Sequence, residues 1–212
     1  MKHDGRKKGT MKKVQRDEIL ALGAYEQIRE HFRARVIAEK KRRRAILSDE
    51  LTIVFENRDT VLFQVQEMLR TERITNEPGI LHELETYNEL VPGTNELSAT
   101  LFVEIVDRDT RDRRLVELAG LEGSFHFEVG GATVPIMNET RGVLPDRTTA
   151  VHYLRIPLGA AAAQKLLARA AAGDAPGTDG DVAFVVHHPG LELRAPLPGA
   201  LLRALAEDLA TP

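Results

Sequence analysis

The sequence has no cysteine and no tryptophan. Without thiols the chain forms no disulfide, ligates no iron–sulfur cluster of its own, builds no thiolate zinc site and offers no cysteine nucleophile. Aromatic residues are only 5% of it, three Tyr and seven Phe, which argues against a base-stacking surface for single-stranded nucleic acid. No apolar stretch approaches the roughly 20 residues that span a bilayer. No apolar run follows the basic N-terminus as a secretory signal requires, so the cytoplasm is the expected compartment and no membrane partner is expected. The common phosphate and catalytic loops are missing too. There is no G-x-x-x-x-G-K-[ST], no G-x-G-x-x-G after a strand and no G-x-S-x-G, and His82-Glu83 lacks the second histidine of H-E-x-x-H.

What is present is a chain of 212 residues, 42% hydrophobic and 29% charged, the balance of a soluble globular domain. Its net charge of −3 hides an asymmetry: residues 1–44 carry 15 Lys/Arg against 6 Asp/Glu, the remainder 14 against 26. Residues 1–13, rich in Lys and Gly and without apolar periodicity, read as a disordered basic tail, and residues 14–212 as a single domain. A helix pattern runs from Asp17 to Ala45, with Ile28, Phe32 and Val36 at every fourth position. It closes on the run Lys40, Lys41, Arg42, Arg43 and Arg44, where positive charge favours the helix dipole. One reading makes this run a docking site for an anionic partner. An acidic protein face fits better than nucleic acid, because no helix-turn-helix, RNA-recognition or finger signature accompanies it. The other reading is a solvated last turn that balances the acidic body of the same chain.

Further along, Leu51–Glu56 reads as a strand, Thr60–Arg73 as a helix capped by Asp59, and Pro78–Leu90 as a shorter helix. A strand over Thr100–Val106 and a helix over Arg111–Ala119 follow. Gly130-Gly131 separates two strands of a hairpin, Ser124–Val129 and Ala132–Ile136. Val151–Ile156 is a strand and Ala160–Ala172 a helix. Pro189-Gly190 turns a second hairpin, Val182–His188 with Leu191–Ala195, and Gly199–Leu209 is a closing helix. Helices dominate the first ninety residues and strands the rest. The fold class expected is therefore α+β, a helical N-terminal half packed on a mostly antiparallel sheet with hairpins in the C-terminal half.

Two constellations carry candidate chemistry. Strand alternation places His152 with Leu154 and Ile156, and His188 with Val182, Phe184 and Val186, each a lone imidazole on an apolar face. Glu104 alternates with Phe102 and Val106, and Glu56 closes the set Thr52, Val54. Were these faces to converge, His152, His188, Glu56 and Glu104 would form a dry N/O site for iron, manganese or zinc, or an acid–base pair. The plainer reading gives each side chain a local hydrogen bond. On the helix Thr60–Arg73, the residues Phe63, Gln66, Glu67, Arg70 and Arg73 form a patch, either a protein docking face or a face packed on another helix of the same chain.

The stretches FENRDTVLFQVQEMLRTER (Phe55–Arg73), ELETYNELVPG (Glu83–Gly93), TAVHYLR (Thr149–Arg155) and HHP (His187–Pro189), in that order, resemble the bacterial family catalogued as domain of unknown function 3501. The resemblance covers the chain from about Val14 to its C-terminus and carries no assigned activity. It implies a setting: a third component beside a rubrerythrin-like diiron protein and an iron–sulfur oxidoreductase in a cytoplasmic redox or peroxide response. The expectation that follows is an accessory or binding protein acting through protein contacts. A metal-binding protein or metal-dependent enzyme, and a nucleic-acid-binding regulator using the basic N-terminal helix, stand as alternatives.

Overall fold

The computed structural model describes residues 11–139, 144–173 and 180–210. Among these the chain forms six α-helices and nine strands in two antiparallel sheets, the α+β class expected. The sheets are not confined to the C-terminal half. After a 3₁₀ turn at Arg16–Glu18, helix α1 spans Leu22–Arg42 and ends earlier than its basic run does. Arg43 caps it, and Arg44–Ile46 turns back as an edge strand, β1, against β2, Leu51–Glu56. All six residues of β2 are buried, because both its faces are covered.

Helix α2, Arg58–Thr71, starts on a reciprocal cap in which Asn57 Oδ1 accepts from the Thr60 N–H and Thr60 Oγ1 accepts from the Asn57 N–H, each at 3.0 Å. Asn57, not Asp59, is therefore the cap, and Asp59 sits in the first turn, where its charge suits the dipole. Helix α3 covers Glu77–Asn88, with Pro in its first turn. Strand β3, Glu96–Val103, begins four residues before the expected position and leaves Glu104 just outside it. Helix α4 is Arg108–Glu117. Strands β4 (Phe125–Val129) and β5 (Ala132–Pro135) meet at Gly130 and Gly131, whose φ of 53° and 77° give the left-handed pair a two-residue hairpin needs. The short β6 (Met137–Asn138), β7 (Val151–Pro157), helix α5 (Gly159–Ala172), the hairpin β8 (Val182–His188) with β9 (Leu191–Pro196), and helix α6 (Gly199–Ala210) complete the chain.

The central sheet runs β1-β2-β3-β7-β6 and the second β5-β4-β8-β9. The central sheet is the middle layer. One face packs with the second sheet and α4–α6 around Ile53, Phe55, Leu101, Leu154, Phe127 and Phe184. The other face lies under α2 and α3, where Val61, Val65, Leu69, Leu84 and Tyr153 meet. Met11 is buried in this second cluster with Val14 and Ile19. Residues 11–13 thus depart from the expected tail: Met11 has an apolar pocket to fill, and the Lys12 carbonyl accepts from Arg58 Nε at 2.8 Å. Residues 1–10 of that tail lie outside the described residues. Among the described residues no helix is long and apolar enough to cross a membrane.

Candidate functional site

Register decides which side chains share a face. Ile53 pairs with Leu101, and Leu101 with His152, so these three point toward the second sheet. Val54, Thr100 and Tyr153 pair in the same way and point toward the helices. Glu56 belongs with the latter: its Oε1 accepts from Thr100 Oγ1 at 2.8 Å. Glu56 is only 3% exposed, its Oε2 is buried without a hydrogen-bond partner, and Lys40 Nζ stands 4.0 Å from that oxygen.

Beside this carboxylate, a cleft of about 600 Å³ opens between α3 and the β6–β7 edge, lined by Lys13, Tyr87, Met137, Tyr153 and Arg155 among others. Burial, and then the charge of Glu56, push the Tyr153 phenol up from its ordinary value. Burial does the same to Tyr87, with Tyr153 and Glu83 adding to it against a hydrogen bond from Gln64. Both phenols therefore stay protonated and can donate at neutral pH. Arg155 is held by Glu96 through two bonds of 2.6 and 2.9 Å, which raise its pKa. The cleft thus combines two aromatic rings with protonated hydroxyls, a guanidinium held by Glu96, an ammonium at the rim and the carboxylates of Glu89 and Glu139, a set suited to binding a small polar molecule or a peptide segment.

The four side chains read as a metal site do not come together. His152 lies on the opposite face of the central sheet from Glu56, 2% exposed. Asn138 Nδ2 donates to its Nδ1 at 3.1 Å, and its Nε2 faces Thr148 Oγ1, which in turn donates to Glu122. Phe125 stacks edge-on with it at 5.5 Å. Burial lowers the pKa of His152, against Glu122 and a backbone hydrogen bond at Thr149, which act the other way. His188 is in the second sheet and has both nitrogens engaged: Nε2 donates to the Ala119 carbonyl and Nδ1 accepts from the Gly190 N–H, each at 3.0 Å. Glu104 is half-exposed beyond the end of β3. Desolvation works to raise its pKa, but hydrogen bonds from Thr52 and Arg44, both at 2.8 Å, outweigh this and lower it. Among the described residues no three His, Cys, Asp or Glu side chains gather as a metal cage.

The candidate docking residues are largely spent within the fold. Arg43 is 2% exposed and bound to Glu39 and Asp208; burial works against its charge, and the two carboxylates outweigh it. Burial raises the pKa of Asp208 in spite of Arg43. Arg42 pairs with Glu207 and Arg44 with Glu104, so the basic run is mostly neutralised by acids of the same chain. The Phe63–Arg70 patch packs on α1. Phe63 meets Phe32 edge-on at 5.6 Å, Glu67 receives Tyr25 and Arg29 at 2.7–2.8 Å, and Arg70 reaches Glu26 at 2.5 Å. Gln66 is 1% exposed and holds both the N–H and the carbonyl of Leu20 at 3.0 Å. Of these candidate contacts, Lys41, Arg42, Arg44 and Arg73 remain exposed, Arg42 and Arg44 within their ion pairs.

Tyr153 is not singled out by the sequence, and Tyr87 and Arg155 stand out there only as residues of the family-like stretches. The signal was there: the alternation that sends His152 and Leu154 to one face sends Tyr153 and Arg155 to the other. Nothing local announces that α3 brings Tyr87 to meet them.

The geometry describes an α+β fold in which the central sheet lies between a helical layer and the second sheet. The chain belongs to the family described as Protein of unknown function (DUF3501), which it matches over residues 13–209. Among solved structures it is similar to a protein of Burkholderia pseudomallei K96243 described as a novel protein of unknown function. The two are 34% identical, the match covers 93% of this chain and 100% of that one, and the TM-score is 0.82. No curated protein matches.

Proposed function

We propose that this chain is an accessory, ligand-binding component of a bacterial cytoplasmic redox or peroxide-response system, working beside a rubrerythrin-like diiron protein and an iron–sulfur oxidoreductase. The observation that carries the binding part is the cleft between α3 and β7, where Tyr87, Tyr153, Arg155 and Lys13 meet. The redox setting rests on the family resemblance. A sequence without cysteine is consistent with a component that leaves thiolate-held clusters to its partners. Within the basic run Arg43 is buried against Asp208, and Arg42 and Arg44 are paired with acids of the same chain that compete with a phosphate backbone, which favours this reading over a nucleic-acid regulator.

The test is affinity capture of the tagged chain from its bacterial host, in wild type and in a Lys13→Glu/Tyr153→Phe variant that alters the cleft without removing its apolar wall. Co-capture of a diiron or iron–sulfur protein that the variant weakens is the expected result. Capture of neither overturns the redox setting. Capture that the variant leaves unchanged removes the cleft from the association.

A further inference from the structure

A pair of imidazoles lies away from the cleft, on the outward face of the second sheet. His126 on β4 pairs with Val185 on β8, two residues before His187. Side chains two apart share a face, so both rings stand on the side opposite the core residues Phe125, Phe127, Phe184 and Val186. Their centroids are 5.6 Å apart and the rings are tilted by 54°. Glu192 on β9 lies directly across from His187, and His187 Nδ1–H donates to Glu192 Oε1 at 2.5 Å. His187 and Glu192 are well exposed, whereas His126 Nδ1 is buried without a hydrogen-bond partner.

We propose that His126 and His187 bind a divalent transition-metal ion of the zinc class, with Glu192 as the carboxylate that orients His187 and water completing the coordination. This stands independently of the cleft. Three features carry it. A metal about 2 Å from each ligating nitrogen lies about 3.2 Å from each ring centroid, so two tetrahedral imidazole ligands have centroids roughly 5 Å apart, close to what is found. A bond from Nδ1–H to a carboxylate fixes the tautomer of His187 and leaves Nε2 with its lone pair free, the arrangement common to metal-ligating histidines. The third is an unpartnered buried nitrogen, His126 Nδ1, on the face of the sheet that carries His187; as the ligating atom it would gain the partner it lacks. Glu192 Oε1 is engaged by His187 Nδ1, so the ligand set is taken as two imidazoles and not a closed cage. The site is open to solvent on the side of His187 and Glu192, and suits a borderline metal that imidazole favours.

The test is calorimetric titration of zinc(II) into chelator-stripped, untagged, full-length protein. The variants are His126→Asn, His187→Asn and Glu192→Gln, with His3→Asn as a control for the N-terminal histidine. The expected result is one ion per chain in wild type and in His3→Asn. Each core-sparing variant His126→Asn and His187→Asn loses tenfold or more in affinity, and Glu192→Gln also loses about tenfold. Circular dichroism of each variant shows whether the sheet is intact. Absence of zinc binding up to millimolar concentration, or wild-type affinity in folded His126→Asn and His187→Asn, overturns the site. Unchanged affinity in Glu192→Gln overturns the role given to that carboxylate.

Discussion

Glu56 and His152 sit on opposite faces of one sheet. Glu56 is tied to Thr100 beneath the helices, and His152 is paired across the strands with Leu101 on the side of the second sheet. Coordination bonds are about 2 Å long, so no single ion reaches both. Substituting either is expected to leave the bound metal unchanged. Elemental mass spectrometry on untagged protein purified without chelator should give the same metal content for wild type, Glu56→Gln and His152→Asn. Metal lost in both variants would contradict the placement.

Much of the fold is legible in the sequence because it is written locally. The Gly130-Gly131 hairpin, the Pro189-Gly190 hairpin, β2 and α5 follow from turn residues and periodicity, and the structure places them within a residue or two of the expected positions. The sequence pattern carries α1 past its true end, because Arg44–Ile46 is helix-compatible in isolation and its strand pairing comes from β2. The site was the least legible part. Alternation tells which residues of one strand share a face. It does not tell which faces of different strands meet, so it leaves open whether His152 and Glu56 converge. Nor does a basic run show that Glu207 and Asp208, 165 residues later, return to neutralise it.

His152 is expected to make the protein sensitive to mild acid. Burial holds its pKa below the ordinary value near 6.5. Between those two values the unfolded chain binds a proton that the folded chain refuses, so stability falls as pH drops from about 7 and levels off once the folded-state pKa is passed. Melting curves from pH 7.5 to 5 should fall more steeply for wild type than for His152→Gln, which cannot titrate. Equal slopes would mean that the imidazole is not held neutral by burial.

Arg43 is expected to be costly to remove and much less costly to remove together with its partner. It bonds Glu39 at 2.7 Å and Asp208 at 2.9 Å with almost no exposure. Arg43→Met strands Asp208 without a counter-charge at the α1–α6 junction, a loss of about 3–5 kcal/mol. Arg43→Met/Asp208→Leu removes both charges and should recover most of that loss. Urea denaturation of the two singles and the double gives the coupling. Additive losses, with no coupling, would show that the pair is not what holds the two helices.

Two side-chain amides clamp the N-terminal segment to the body. Asn88 at the end of α3 exchanges two bonds of 2.9 Å with the N–H and carbonyl of Val14. Gln66 does the same to Leu20 six residues on. Each clamp satisfies two backbone groups, at least one of which would otherwise be hidden from water at a cost of about 1–3 kcal/mol. Asn88→Leu fills the space but returns neither bond, so it should open the segment locally more than it lowers global stability. Trypsin is the natural probe, because Lys12, Lys13 and Arg16 flank Val14. Cleavage there is expected to be tenfold or more faster in Asn88→Leu than in wild type, with a smaller shift in the urea midpoint. Gln66→Leu should expose the segment near Leu20 in the same way while leaving Met11 and Val14 seated. Cleavage at the wild-type rate in Asn88→Leu would mean that burial of Met11, Val14 and Ile19 alone holds the segment, and that the lip of the cleft formed by Lys13 does not depend on the clamp.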